Sequence, residues 1–341
     1  MINKIKIIFY NFFSIGDTHF AQPFVKNIID NNGDKFEYYI LSNFNFYIYT
    51  SILPDIKIIQ NDILKDLNVN LSSENLKWYD YYFFKEQNIL FINTWIGNYL
   101  YILSSRKDYF LTYYKESVIE CDVVSYIKSY QIMLNIILEK ENIKINYNND
   151  PLISIPVFPP NLYIEDFLNF KKNNSDKKIV FINNYYPCSG QKISIHNVEN
   201  RICLIDYFIK KNYIVLLSEY ENDLQVYKIE NNITDLYFTN VLFKIDVNHS
   251  CYNIYFCAKV AHNCDMALYF DTGRNFTYIN QEFIDEYKNN INRNTKIHFG
   301  IDDKFFKPLS NPIYFPDGYV NFIQAENCDS IIEKLENSNY L

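Results

Sequence analysis

Glycine is scarce in this chain, with seven in 341 residues against an average use of about 7%. A chain so poor in glycine is expected to keep it where φ must be positive or where backbone must approach a ligand. There is no uncharged apolar run of about 18 residues, so no membrane span is expected. Long basic tracts are missing and the formal net charge is −8. That argues against a nucleic-acid binder working by phosphate neutralisation, while leaving room for a basic pocket for one diphosphate. The seven cysteines are odd in number and scattered, with no C-x-x-C and no Cys/His cluster of zinc spacing. Buried free thiols and a cytoplasmic location are the expectation. No D-x-D occurs, the metal-holding motif of many sugar transferases. G-x-G-x-x-G and G-x-S-x-G are also missing, which weakens a dinucleotide oxidoreductase and removes the usual hydrolase elbow. No metal and no cofactor are therefore expected.

What is present is a packed globular composition, 48% hydrophobic, with 32 Tyr and 28 Phe. Heavy use of Tyr, Phe, Asn, Ile and Lys is the signature of an AT-rich coding genome. Aromatic stripes are accordingly read as core or drift and not as stacking platforms. The N-terminal Lys4 and Lys6 before Ile7 to Phe13 superficially suggest a signal peptide. The run is short, however, and breaks into Gly16-Asp17-Thr18-His19 without a cleavage site, so a first buried strand fits better.

Apolar strands alternate with helical segments, the pattern of parallel sheets covered on both faces. The spacing predicts strands near 4–10, 36–41, 56–59 and 88–93. A helix is expected from Gln22-Pro23 to Asp30, with Pro23 in its first turn, and another over 117–140. Residues 151–160 hold four of the ten prolines and read as a stiff connector. The rhythm then restarts, with strands at 178–183, 213–218, 235–238 and 266–270 and helices at 196–211, 251–262, 276–290 and 329–336. The expected fold class is α/β, with two Rossmann-like parallel-sheet domains facing a cleft. Its divisions are a first domain (1–150), a Pro-rich linker (151–165), a second domain (166–328) and a C-terminal helix (329–341).

In open α/β sheets, ligands bind beyond the carboxyl ends of the strands, and the chemically capable residues fall there. Asp17, after Gly16 and the first strand, reads as a general base or as a helix N-cap. His19 is a minor candidate beside it. Asn93, Thr94 and Trp95 close a strand of the same half, and Trp95 is either an acceptor wall or a core anchor. In the second half, Ser189, Gly190 and Lys192 form a loop able to meet a diphosphate, or an ordinary polar loop. Glu219 and Glu221 follow the next strand, where an acid can hold ribose hydroxyls or stay a solvated carboxylate. Asp271, Thr272, Gly273 and Arg274 offer backbone N–H groups at a helix start plus a guanidinium fork for phosphate, or a capped turn.

Together these residues resemble the heptosyltransferase-like family (family 9) of glycosyltransferases, which have the GT-B fold. Gly16-Asp17 with Pro23 matches the family's Gly-Asp after the first strand. Ser189-Gly190-Gln191-Lys192 loosely matches its Lys loop, and Asp271-Thr272-Gly273 its Asp-Thr-Gly before the helix facing the donor diphosphate. Phe276 stands where the family usually has His. The resemblance implies metal-independent, inverting transfer from a nucleotide-sugar donor to a glycan or glycolipid acceptor, with peripheral membrane contact allowed. Asp17 would be the base, Lys192, Arg274 and the Thr272-Gly273 N–H groups would hold the diphosphate, and Glu219 or Glu221 the ribose. A sugar-nucleotide epimerase or phosphorylase, or a GT-B-like module that binds without turnover, remain the alternatives.

Overall fold

The computed structural model describes residues 4–10, 15–41, 53, 56–59, 81–94, 123–149, 162–184, 197–244, 250–270, 281–289, 297–302, 321–325 and 327–338. The chain divides into two compact units, Met1–Pro160 and Asn161–Leu341.

The first unit runs β1 (Lys6–Tyr10), α1 (Ile15–Asn32), β2 (Glu37–Leu41), β3 (Lys57–Ile59), β4 (Tyr81–Phe84), β5 (Ile89–Asn93) and α2 (Val123–Glu141). Its sheet order is β3-β2-β1-β5-β4. All described pairings are parallel except β4 with β5. Strand β1 is central and buried on both faces, which its unbroken Ile7-Ile8-Phe9-Tyr10 run requires. Ile7 and Phe9 join a cluster with Phe24, Val25 and Ile28 of α1 and Tyr130, Met133 and Ile137 of α2. Ile8 and Tyr10 meet Leu41, Ile89 and Phe91 on the other face. The Phe24 and Tyr130 rings stack at 3.5 Å between centroids. Burying one such side chain is worth about 1.5–3 kcal/mol.

Two expectations for α1 are corrected. The helix begins at Ile15, seven residues before Gln22, and Pro23 lies in its interior. A proline there cannot donate to the carbonyl of His19 and crowds it, at a cost of about 3 kcal/mol. Burial of Ala21, Phe24, Val25 and Ile28 along one side offsets that cost, because amphipathic packing outweighs propensity. The helix stops at Gly33, whose φ of +46° is a conformation that glycine adopts without penalty.

After α2 the chain returns along α1 as an extended strap. Asn27 Nδ2 donates to the Asn148 carbonyl at 2.7 Å, and Asn148 N donates back to Asn27 Oδ1 at 2.9 Å. Asn32 does the same with Asn146, at 2.8 and 2.9 Å. Two side-chain amides thus serve as a strand edge for alternate strap residues, while Ile143 and Ile145 are buried.

The second unit contains α3 (Glu165–Asn173), β6 (Lys178–Ile182), α4 (Val198–Lys210), β7 (Tyr213–Leu217), α5 (Asn222–Glu230), β8 (Leu236–Phe238) and the short α6 (Thr239–Leu242). It continues with α7 (Ser250–Asn263), β9 (Met266–Phe270), α8 (Gln281–Lys288), β10 (Ile297–Asp302), β11 (Asn321–Gln324) and α9 (Cys328–Asn337). The order β11-β10-β9-β6-β7-β8, with every described pairing parallel, is the doubly wound dinucleotide-binding arrangement. Both units are therefore Rossmann-like α/β sheets, consistent with GT-B architecture.

Helix α9 packs on α4. It is opened by a capping box between Asn327 and Ser330, and its Cys328 is joined to Cys203 by a disulfide with Cα atoms 6.2 Å apart. That overturns the expectation of free thiols for this pair, because the two helices bring cysteines 125 positions apart within bonding reach. Cys257 and Cys264 are buried thiols. Among the described residues no helix is long and apolar enough to cross a membrane.

Candidate functional site

Each sheet has one place where strand order reverses, between β1 and β5 in the first unit and between β6 and β9 in the second. Crevices of this kind hold ligands in α/β sheets.

At the first, Tyr10 pairs in register with Asn93, the buried last residue of β5. The Tyr10 carbonyl accepts from Thr94 N at 2.8 Å and from Thr94 Oγ1 at 3.1 Å. Tyr130 of α2 then donates its hydroxyl to the Thr94 carbonyl at 3.1 Å. The exit of β1 is thus fixed from two elements. Gly16 and Asp17 follow in the first turn of α1, so they are helical residues and not part of an open loop. Thr18, His19 and Gln22 are buried further along the same helix. Trp95 lies outside the described residues.

Beside the second crevice, β6 and β7 end in a buried polar cluster. Ser218 Oγ donates to Asn184 Oδ1 at 2.8 Å or to Asn183 Oδ1 at 3.1 Å. Asn184 Oδ1 also accepts from Glu219 N at 2.9 Å, while Asn184 Nδ2 donates to the Glu219 carbonyl at 2.9 Å. The same Nδ2 reaches Glu221 Oε2 at 3.3 Å. Glu221 forms an ion pair with Arg201 of α4, whose side chain is 4% exposed. Tyr220 N donates to Asn240 Oδ1 at 3.0 Å, and Cys257 Sγ lies 3.5 Å from the Ser218 carbonyl.

The cluster takes up one of the two glutamates offered by the sequence. Glu221 stands at the N-cap position of α5 without capping it, because its carboxylate is committed to Arg201 and Asn184. Glu219 is half-buried, its backbone held at both N–H and C=O. Asn183, Asn184, Ser218 and Arg201 were not singled out from the sequence. The signal that could have found them is a polar residue directly after each apolar run, KIVFI-Asn-Asn and YIVLL-Ser.

Ser189, Gly190, Lys192, Asp271, Thr272, Gly273 and Arg274 lie outside the described residues. Their flanks do not: β6 leads toward the first group, and β9 leads directly into the second. Helix α8, which comes after that second segment, is seated on α7 by His262. Its Nε2 is 2.8 Å from Glu286 Oε2, and its ring stacks on Phe283 at 3.6 Å. Among the described residues no group of three or more His, Cys, Asp or Glu is arranged to hold a metal ion.

No protein-family model matches this chain, and no curated protein matches it. Solved structures do match in layout. A glycosyl transferase family 9 protein from Veillonella parvula shares 10% identity over 98% of this chain and 89% of its own, with a TM-score of 0.45. ADP-heptose LPS heptosyltransferase II of E. coli shares 11% identity over 98% of both chains, with a TM-score of 0.46. An E. coli heptosyltransferase solved with ADP-2-deoxy-2-fluoro heptose shares 8% identity over 98% of this chain and 99% of its own, with a TM-score of 0.42. Residue roles rest on this chain's own side chains.

Proposed function

We propose that this chain is a metal-independent, inverting glycosyltransferase that moves a sugar from a nucleotide-sugar donor to a glycan or glycolipid acceptor. What supports the reading is position. Asp17 follows the central strand of one Rossmann-like sheet, while Glu219 and the Asp271-Thr272-Gly273-Arg274 segment follow strands at or beside the reversal point of the other. In this reading Asp17 takes the proton of the acceptor hydroxyl as that oxygen attacks the anomeric carbon. The bond from the anomeric carbon to the diphosphate oxygen breaks, and its electrons leave with the nucleoside diphosphate. Lys192, Arg274 and the N–H groups around Thr272-Gly273 offset the charge growing on that leaving group. Losing one such donor typically costs about 3–4 kcal/mol of transition-state stabilisation. Glu219 accepts hydrogen bonds from the ribose hydroxyls.

A thermal-shift panel of UDP, GDP, ADP and CMP with their sugar conjugates tests the nucleotide site. A ligand at a hundred times its Kd stabilises the native state by about 2.7 kcal/mol. Asp17→Asn then tests the chemistry: transfer should disappear while nucleotide affinity stays within about twofold. Transfer that survives the substitution, or a panel with no response, defeats the reading.

A further inference from the structure

Arg201 has no role in the chemistry above, and its side chain is buried in α4. We infer that Arg201 is the positioning residue for the β7 exit loop, and that through Glu221 and Asn184 it sets the direction of Glu219. The inference rests on reading this crevice as a nucleoside diphosphate site.

The geometry is a chain of committed groups. Arg201 Nη2 donates to Glu221 Oε1, and Glu221 Oε2 accepts from Asn184 Nδ2 at 3.3 Å. The Asn184 carboxamide grips the Glu219 peptide groups on both sides at 2.9 Å, and Ser218 Oγ donates to its oxygen at 2.8 Å. With both ends of that amide occupied, Asn184 cannot turn, so the Cα–Cβ direction of Glu219 is fixed before a ligand arrives.

Burying an Arg–Glu pair incurs a large desolvation cost, and an apolar pair of similar volume would often stabilise a fold as well. The pair is instead placed where one carboxylate oxygen can hold the next group in line. Such pre-set geometry raises affinity by lowering the ordering cost on binding.

The test is a double-substitution cycle on the full chain, using whichever nucleoside diphosphate of the thermal-shift panel stabilises the wild type. Arg201→Met should weaken its binding about tenfold, with no further loss when Glu219→Ala is already present, because the two act in series. Arg201→Lys should recover part of the loss. The 2′,3′-dideoxy analogue should bind Arg201→Met as well as the parent nucleotide does, while the wild type prefers the ribose form. Glu221→Gln, which keeps the shape of the side chain, should give the same pattern if Arg201→Met folds poorly. Variants that lose melting temperature yet keep wild-type affinity and ribose preference overturn the inference, as do losses that add to that of Glu219→Ala. A wild type that binds no nucleoside diphosphate overturns the site reading itself.

Discussion

The side-chain amide of Asn184 pairs with the backbone of Glu219 as one peptide group pairs with another, donating to its carbonyl and accepting from its N–H at 2.9 Å each. The loop after β7 is thereby held to the end of β6 by a strand-like contact built from a single side chain. Asn27 and Asn32 repeat the device on the strap behind α1. A chain rich in asparagine thus uses it where backbone must be bound but no strand is available.

Removing the amide should therefore be costly. Asn184→Ala leaves the Glu219 N–H and C=O and the Glu221 carboxylate without that partner in a part-buried setting, worth about 1–3 kcal/mol. Urea unfolding should show a lower midpoint with unchanged slope. Amide exchange at Glu219 should rise from protected to near loop rates.

In the first unit, Asn27→Ala and Asn32→Ala should each destabilise by about 1–2 kcal/mol, since each removes a two-bond pairing. The double variant should lose less than the sum, because both amides hold one strap and the first loss already loosens it. Thermal melts of the three variants against the wild type measure the coupling.

The Cys203–Cys328 bond closes a long loop and ties the last helix to α4. Reductant, or Cys203→Ser, should lower stability by about 2–4 kcal/mol. Non-reducing mass spectrometry of the native chain should find the linked peptides, and the serine variant should be insensitive to dithiothreitol.

Alkaline pH should unfold the protein through its tyrosines. Burial chiefly pushes the Tyr38 phenol up to about 12, helped by the charge of Asp34. Tyr227 rises to about 12 through burial and then its hydrogen bond to Asp206. Tyr207 rises similarly through burial and Glu336, and Tyr39 through burial and Glu37. The unfolded chain releases these protons near pH 10, while the folded one holds them to about 12. Their contribution is complete below pH 10 and is lost as pH rises toward 12. Absorbance at 295 nm should show a late-ionising class whose midpoint coincides with the loss of ellipticity.

Much of the fold was legible in order. Runs such as KIIFY, KIVFI and YIVLL mark strands buried on both faces, and β6, β7 and β9 fall within a residue of the expected spans. Strand β4 was not legible, since Tyr81-Tyr82-Phe83-Phe84 reads like the aromatic drift of the whole chain. Only antiparallel pairing with β5 makes it a strand. Helices α3 and α5 were also missed, being short and polar over much of their surface. The start of α1 was hidden because Gly16 and Pro23 both read as helix punctuation.

By itself, the sequence determined many of the strands and helices among the described residues, and that two βα series follow one another. Burial imposes a local pattern on residue types, and that pattern survives in one dimension. Which polar groups meet was decided only in three dimensions. The Arg201–Glu221 pair, the Asn184 grip on Glu219, the strap held by Asn27 and Asn32, and the Cys203–Cys328 bond join positions 20 to 125 residues apart. A hydrogen bond or ion pair depends on distance and direction between side chains, and neither is encoded in the spacing of either residue along the chain.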